Sequence, residues 1–550
     1  RTFVVGDRPE SVEAEPNNAP AQANAIALNS VVNGESAGAD VDCFAFEGRK
    51  GQRVFLDLAA ERVESRLDGT LRVDGPTGEE IAEDRDSFGT DPFLDLTLPA
   101  DGRYVVKVHD MTFVGSPDHG YRLTLHDGPH LDAIVPAVAA PGVPRTFTLL
   151  GRNLGGTAVP GMTVEGRPLE KIEVAITPPP GEPDPADPSR GLVPSPAAPR
   201  RGFEYAWRGP NGTSNSVFVA EAADPVLIEA EPNDDEHPQA VTLPFDLSGT
   251  FGAPGDLDVY RFPARKGEVW WIEAGAERLG SPADPVFVVQ KVVPNGPPQD
   301  LATAEDATGP ARSARFDTAT VDALLRWVVP EDGTYQVAIN DLFASQRGDP
   351  RLIYRLNIRP ERPDFRLILV PEDTKQTDAV TVGAGGRAAA SVIAWRSDGF
   401  NGPIRVEARD LPPGVRCDPV VIPSGQVAAT VVFEAADDAK PAVGPARLVG
   451  LGRWGDRKES LRYVRGASTL GPDLEREVLG GGMIWPPTNS QQPPVVAPAR
   501  LTRGFILAVG SPAPFTLSAK PADWIVAQGQ PLNLEFTLSR RAGFVEGVAV

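Results

Sequence analysis

The strongest constraint on this chain is that it contains the same unit twice. Glu13-Ala14-Glu15-Pro16-Asn17 returns as Glu229-Ala230-Glu231-Pro232-Asn233, an offset of 216 residues. At the same offset, Asp40-Val41-Asp42-Cys43-Phe44-Ala45-Phe46 returns as Asp256-Leu257-Asp258-Val259-Tyr260-Arg261-Phe262. Arg49-Lys50-Gly51 matches Arg265-Lys266-Gly267, Ala60-Glu61-Arg62 matches Ala276-Glu277-Arg278, and Asp68 matches Asp284. Later elements return at an offset of 231: Asp101-Gly102-Arg103-Tyr104 as Asp332-Gly333-Thr334-Tyr335, Asp110 as Asp341, and Tyr121-Arg122-Leu123 as Tyr354-Arg355-Leu356. The second copy therefore carries an insertion, expected in the Pro/Asn/Gly-rich stretch 293–310. A duplicated unit folds as a unit, and a chain of 550 residues is too long for one core, so several modules are expected.

Each copy reads as β-structure. Val54-Phe55-Leu56-Asp57-Leu58 and Tyr104-Val105-Val106-Lys107-Val108 are short β-rich runs, and Asp-Gly turns stand directly before strands at 101 and 332. Almost no segment spaces its apolar residues as a helix does. Proline (57) and glycine (55) make up about a fifth of the chain, so turns and linkers are abundant, while a hydrophobic fraction of 41% still supplies cores. The expected fold class is all-β: tandem β-sandwich or jelly-roll modules, strung as beads.

The E-x-E-P-N-[ND] opening, the D-x-D-x-[FY]-x-F strand, the Lys-Gly turn and the D-G-x-Y strand ending in Tyr-Arg-Leu together resemble the bacterial pre-peptidase C-terminal (PPC) domain. Both copies carry all of these marks, over 11–127 and 226–360. Between them, Leu131-Asp132-Ala133-Ile134-Val135-Pro136 and the later Gly151-Arg152-Asn153-Leu154 resemble an IPT/TIG immunoglobulin-like module over 128–225, with 177–200 as a Pro-rich loop and Ser216-Val217-Phe218-Val219 as its last strand. From 361 the pattern changes. Gly399-Phe400-Asn401-Gly402-Pro403-Ile404-Arg405-Val406 and Leu411-Pro412-Pro413-Gly414-Val415 resemble bacterial immunoglobulin-like repeats, placed at 361–475. Gly543-Phe544-Val545-Glu546-Gly547-Val548-Ala549-Val550 repeats the first of these elements 144 residues on, so 476–550 is expected to be an incomplete further module. Residues 1–10, with Thr2-Phe3-Val4-Val5, are expected to be the last strand of a preceding one.

The formal net charge of −22 argues against nucleic acid, which needs clustered Lys and Arg, and against docking on anionic lipid. It suits a solvated surface that attracts divalent cations. No run of apolar residues is long enough to span a membrane. Two cysteines far apart, Cys43 and Cys417, exclude a disulfide framework.

The repeated acidic doublets are the candidate chemistry. In an extended segment, residues i and i+2 face the same way. Glu13 with Glu15, and Asp40 with Asp42, each therefore offer two carboxylates to one side; Glu229, Glu231, Asp256 and Asp258 are their equivalents. If the opening lies against the D-x-D strand, four carboxylates converge and repel one another unless a cation joins them. A hard cation with six to eight oxygen ligands fits, calcium best. Asn17, Asn18, Asn233 and Asp234 could add oxygens. The resemblance implies the same, since collagen-binding members of the PPC family bind calcium through these two motifs. Asn18 stands where the second copy has Asp234, so tighter binding is expected in the second copy.

Nothing else reads as a catalytic site. There is no G-x-S-x-G, no H-E-x-x-H, and no cysteine beside a plausible base. Four of the five histidines (His109, His119, His126, His130) crowd together, and they read as surface residues rather than zinc ligands. Trp270, Trp271 and Trp327 read as core, except that Trp270 and Trp271 are neighbours in a strand and must face opposite ways. The expected function is a non-catalytic, extracellular, cell-surface or periplasmic bacterial protein. Its calcium-stiffened modules would be structural or adhesive units that contact an extracellular polymer or protein. The alternative is the accessory region of a secreted peptidase whose catalytic domain lies elsewhere.

Overall fold

The computed structural model describes residues 4–180, 201–210, 212–307, 312–313, 316–372, 379–453, 473–483, 499–502, 505–519 and 534–548. The Pro-rich loop expected at 177–200 lies mostly outside them, as do residues 1–3 and 549–550. The structure is nearly all β, in separate stacked sheets.

The first copy is a sandwich of two five-stranded sheets. One runs in the order Glu10–Val12, Ser30–Glu35, Gly120–His126, Arg53–Ala59, Phe93–Thr97. The other runs Asn24–Ala25, Asp42–Gly48, Gly102–Asp110, Gly69–Asp74, Glu80–Asp84. The second copy repeats this order strand for strand, from Val226–Ile228 and Phe245–Thr250 in one sheet and Gln239–Ala240 and Asp258–Ala264 in the other. Its insertion supplies the extra edge strand Asp306–Ala307. Alternation along the strands puts Phe44, Phe46, Leu56, Leu58, Tyr104, Val106, Leu123 and Leu125 inside one sandwich, and Phe245, Tyr260, Phe262, Ile272, Tyr335, Val337, Tyr354 and Leu356 inside the other.

The Ala-Glu-Arg repeat has a structural meaning. Each forms one turn of 3-10 helix, whose free amides converge on a buried carboxylate from a distant segment. Asp91 accepts from the amides of Ala60 (2.8 Å), Glu61 (2.7 Å) and Arg62 (3.1 Å), and Asp322 from those of Ala276, Glu277 and Arg278. The Arg62 and Arg278 guanidiniums complete each pair.

Between the copies, a four-stranded and a three-stranded sheet cover His130–Glu221. Junctions on both sides are packed. Arg152 bridges Asp132 of its own module and Asp95 of the first sandwich, which also holds Arg53. On the other side Phe218, Val138 and Ala220 share one apolar cluster with Leu279 and Ile353.

Three readings are corrected. The boundary at 475 is wrong, because Asp473–Met483 pairs with both Asp364–Pro371 and Ala442–Arg453, and Phe505–Gly510 closes the same sheet against Ala379–Gly383. Side chains at Val478, Phe505, Leu507 and Val509 complete the core begun by Phe365 and Leu367, so the fourth module runs on to 510. Second, residues 4–9 carry no strand, and Glu10–Val12 belongs to the first sandwich. Third, three of the four clustered histidines are buried. His119 sits against Ser116, while His126 and His130 lie in an aromatic stack with Phe55 and Phe93. Burial depresses the basicity of the two stacked rings, to about 3 for His126 and about 4 for His130.

Candidate metal centre

The acidic opening and the D-x-D strand start in different sheets and meet at one edge of the sandwich. Glu10–Val12 pairs in parallel with Ser30–Glu35, so Glu13 leaves the sheet beside Gly34. Asp42 opens the edge-side strand of the opposite sheet. Tyr121, neighbour to Ser30–Glu35, crosses the gap. Its hydroxyl lies 2.6 Å from Asp42 Oδ2 and 3.0 Å from Glu13 Oε2. A side chain at position 34 would collide with that ring, since a Cβ there would stand 2.4 Å from the Tyr121 oxygen; Gly249 leaves the same room for Tyr354.

In the first copy, one carboxylate oxygen each from Glu13, Glu15 and Asp42 lies within 4.8 Å of the other two. In the second, the trio is Glu231, Asp256 and Asp258, so Asp256 joins where the repeat would place Glu229. Asp40 and Glu229 stand just beside them. Asp40 accepts from the amides of Ala37 and Val41, and Glu229 takes the amide (2.7 Å) and hydroxyl (2.5 Å) of Thr250. Glu13 is anchored in the same way by the Glu35 amide, at 2.5 Å. Asn17 and Asn233 are buried under the trios, each donating its amide to the second glutamate of the opening (2.9 and 3.1 Å). Asp234 is not among the carboxylates brought together, whereas Asn18 stays beside the first group, its Oδ1 sharing the Asn17 backbone amide with Glu15 Oε2. Asp234 is exposed and committed to the amides of Glu236 and His237. The extra charge that favoured the second copy therefore lies outside its acidic group.

Each centre contains oxygens that the protein leaves unsatisfied. Asn17 Oδ1 and Asp42 Oδ1 in one copy, and Asn233 Oδ1 and Asp258 Oδ1 in the other, are buried with no hydrogen-bond partner. The electrostatics agree. Burial, reinforced by neighbouring carboxylates, pushes Asp42 up to about 8 despite the Tyr121 hydroxyl; Asp258 rises to about 8 in the same way, and Glu229 to about 7. Leaving a buried acceptor unpaired costs about 1–3 kcal/mol. The donor set is entirely oxygen, mixed carboxylate and amide, and it suits a hard divalent cation such as calcium rather than zinc. Nothing in the D-x-D pattern revealed Tyr121 and Tyr354, although their recurrence in the Tyr-Arg-Leu match was the available signal. In the second copy the network is longer: Tyr354 donates to Asp258 (2.5 Å) and meets the Tyr260 hydroxyl at 2.6 Å, where the first copy has Phe44.

No family model matches the chain. Over 100 residues, 17% of its length, it is 31% identical to a probable subtilase-type serine protease of Deinococcus radiodurans, and it spans 14% of that protein's length. Among solved structures it is similar to the pre-peptidase C-terminal domain of collagenase from Bacillus anthracis, with 18% identity, 22% of this chain, 99% of that domain and a TM-score of 0.16. It is also similar to PliG of Aeromonas hydrophila, a periplasmic inhibitor of g-type lysozyme, with 15% identity, 25% of this chain, all of that one and a TM-score of 0.15. Among the described residues no helix is long and apolar enough to cross a membrane.

Proposed function

We propose that this chain is a non-catalytic, multimodular stretch of an extracytoplasmic bacterial protein, in which the two PPC-like sandwiches are stiffened by calcium. Glu13, Glu15, Asn17, Asp40 and Asp42 would hold one ion, and Glu229, Glu231, Asn233, Asp256 and Asp258 the other. The observation that carries this reading is the pair of buried, unpartnered oxygens in each copy, set among carboxylates too crowded to ionise together.

The ion would supply positive charge and nothing else. Its effect would be mechanical: it would tie the entering strand to the opposite sheet, closing the open edge of the sandwich. In the second copy Glu229 grips Thr250 on the strand whose Ser248 hydroxyl receives the amide of Ala137 from the preceding module (2.9 Å). Ordering that strand would also fix the angle between modules. The modules would then serve as spacers and binding units for an extracellular polymer or protein. Equal numbers of carboxylates in the two centres imply similar affinities.

Titration calorimetry of the whole chain with calcium tests this. Two sites per chain are expected, one lost in Asp42→Asn and the other in Asp258→Asn. Absence of calcium-specific heat would refute the reading. The match to a subtilase-type protease supports a second reading, in which these modules accompany a secreted peptidase domain. Finding a Ser/His/Asp or zinc-peptidase motif elsewhere in the same gene product would decide for it.

A further inference from the structure

Where three modules meet, a cleft of about 680 Å³ opens on the outer face of the second sandwich. Its floor is formed by Val269–Gly275 and Ile353–Pro360. Strand register puts Trp271 beside Arg359, and Gly275 beside Arg355, on this outward face. One wall is the last strand of the preceding module, with Phe218 and Ala220. The other comes from the following module, with Trp395 and Arg396.

The arginines are arranged from behind. Arg355 is gripped by Asp246 through two contacts (2.6 and 2.5 Å), Arg278 by Asp322, and Arg359 by Asp398, and all three of these carboxylates are buried. Such pairing holds each planar guanidinium at a set angle. Glu273 is the acid on the floor. Burial opposes its ionisation, yet Arg278, Arg359 and Arg355 outweigh that and hold it down to about 2. Glu273 shares the lining with four other carboxylates, Asp398 among them, and seven arginines outnumber these five acids by two. Arg396 is one of the seven, and its hydrogen bonds run to the backbone carbonyls of Gly402, Pro423 and Gln426. A positive focus in a chain of net charge −22 is a local feature, and beyond about 8 Å the acidic surroundings are screened by salt.

We propose that this cleft binds an acidic sugar unit of a glycan, its carboxylate or sulfate on the arginines and its ring against Trp271. The volume is that of a small-ligand pocket. Guanidinium forks match carboxylate and sulfate oxygens, and indole faces supply rigid apolar area. An acidic peptide is disfavoured by the floor, because both floor strands are paired on both sides and offer no free edge for strand addition. The proposal is independent of the calcium centres, which lie on other residues.

The test is calorimetry on the full chain, in calcium, with four probes: a glucuronate-containing disaccharide, a sulfated disaccharide, neutral cellobiose and an acidic tripeptide. One or both acidic disaccharides are expected to bind, cellobiose and the tripeptide at least about tenfold more weakly, since a hydrogen bond to a charged group contributes about that factor. Which acidic disaccharide binds identifies the anion. Arg359→Gln and, separately, Trp271→Ala should each weaken the acidic sugar about tenfold while calcium binding persists as a check on folding. Equal binding of cellobiose, preference for the tripeptide, no binding of any acidic disaccharide, or indifference to both substitutions in folded protein would overturn it.

Discussion

Calcium should raise the thermal stability of this chain by an amount that grows with pH, and the structure sets the size and sign. In the metal-free protein Asp42 and Asp258 titrate near 8, against about 3.9 in an unfolded chain. Between those values the folded state holds protons that the unfolded chain has released. Metal-free stability must therefore fall as pH rises through that window. Calcium would reverse the trend, because it would bind the ionised form and displace those protons. At a hundredfold excess over Kd each site contributes about 2.7 kcal/mol. For modules somewhat above a hundred residues, about 3–5 °C per kcal/mol gives a rise of about 8–13 °C. The assay is scanning calorimetry with chelator or with about 1 mM calcium at about pH 6, 7 and 8, the chelator scans drifting down and the calcium increment widening as pH rises. Asp258→Asn sharpens the test. An asparagine is neutral without taking up a proton, so the substitution should stabilise the metal-free second sandwich by about 1–2 kcal/mol while abolishing its calcium response. Identical melting with and without calcium at about pH 8, or an equal effect from magnesium, would refute the reasoning.

Other consequences follow from packing. Tyr354→Phe strips a hydroxyl that serves both Asp258 and Tyr260, and should cost about 1–3 kcal/mol in denaturant unfolding, with weaker calcium binding. Gly249→Ala would place a methyl about where the Tyr354 ring stands, and should destabilise the second sandwich by about 1–3 kcal/mol without altering the fourth module. Asp91→Ala leaves three amides without their acceptor and takes one of two carboxylates from Arg62, and should cost about 3 kcal/mol by the same measure. Trp270 packs on the core of the second sandwich whereas Trp271 faces outward, so Trp270→Ala should cost about 3 kcal/mol and Trp271→Ala clearly less; equal losses would contradict this placement.

The duplication made much of this protein legible in one dimension. Strand-length runs punctuated by Asp-Gly turns left sandwich packing as the natural way to bury them, and the constant offset pointed to an acidic cluster in each copy. Chain pattern also separated Trp270 from Trp271, since alternation in a strand is local geometry. Tertiary structure decided which oxygens matter. Tyr121 and Asp42 belong to opposite sheets, and only the stacking of those sheets brings a phenol, two carboxylates and a buried asparagine to one point. It removed Asp234 from the centre, because a side-chain oxygen beside two nearby amides satisfies itself locally. It carried the fourth module past 475, because sheet membership depends on which edges pair across dozens of residues, a long-range choice that no local run of residues encodes.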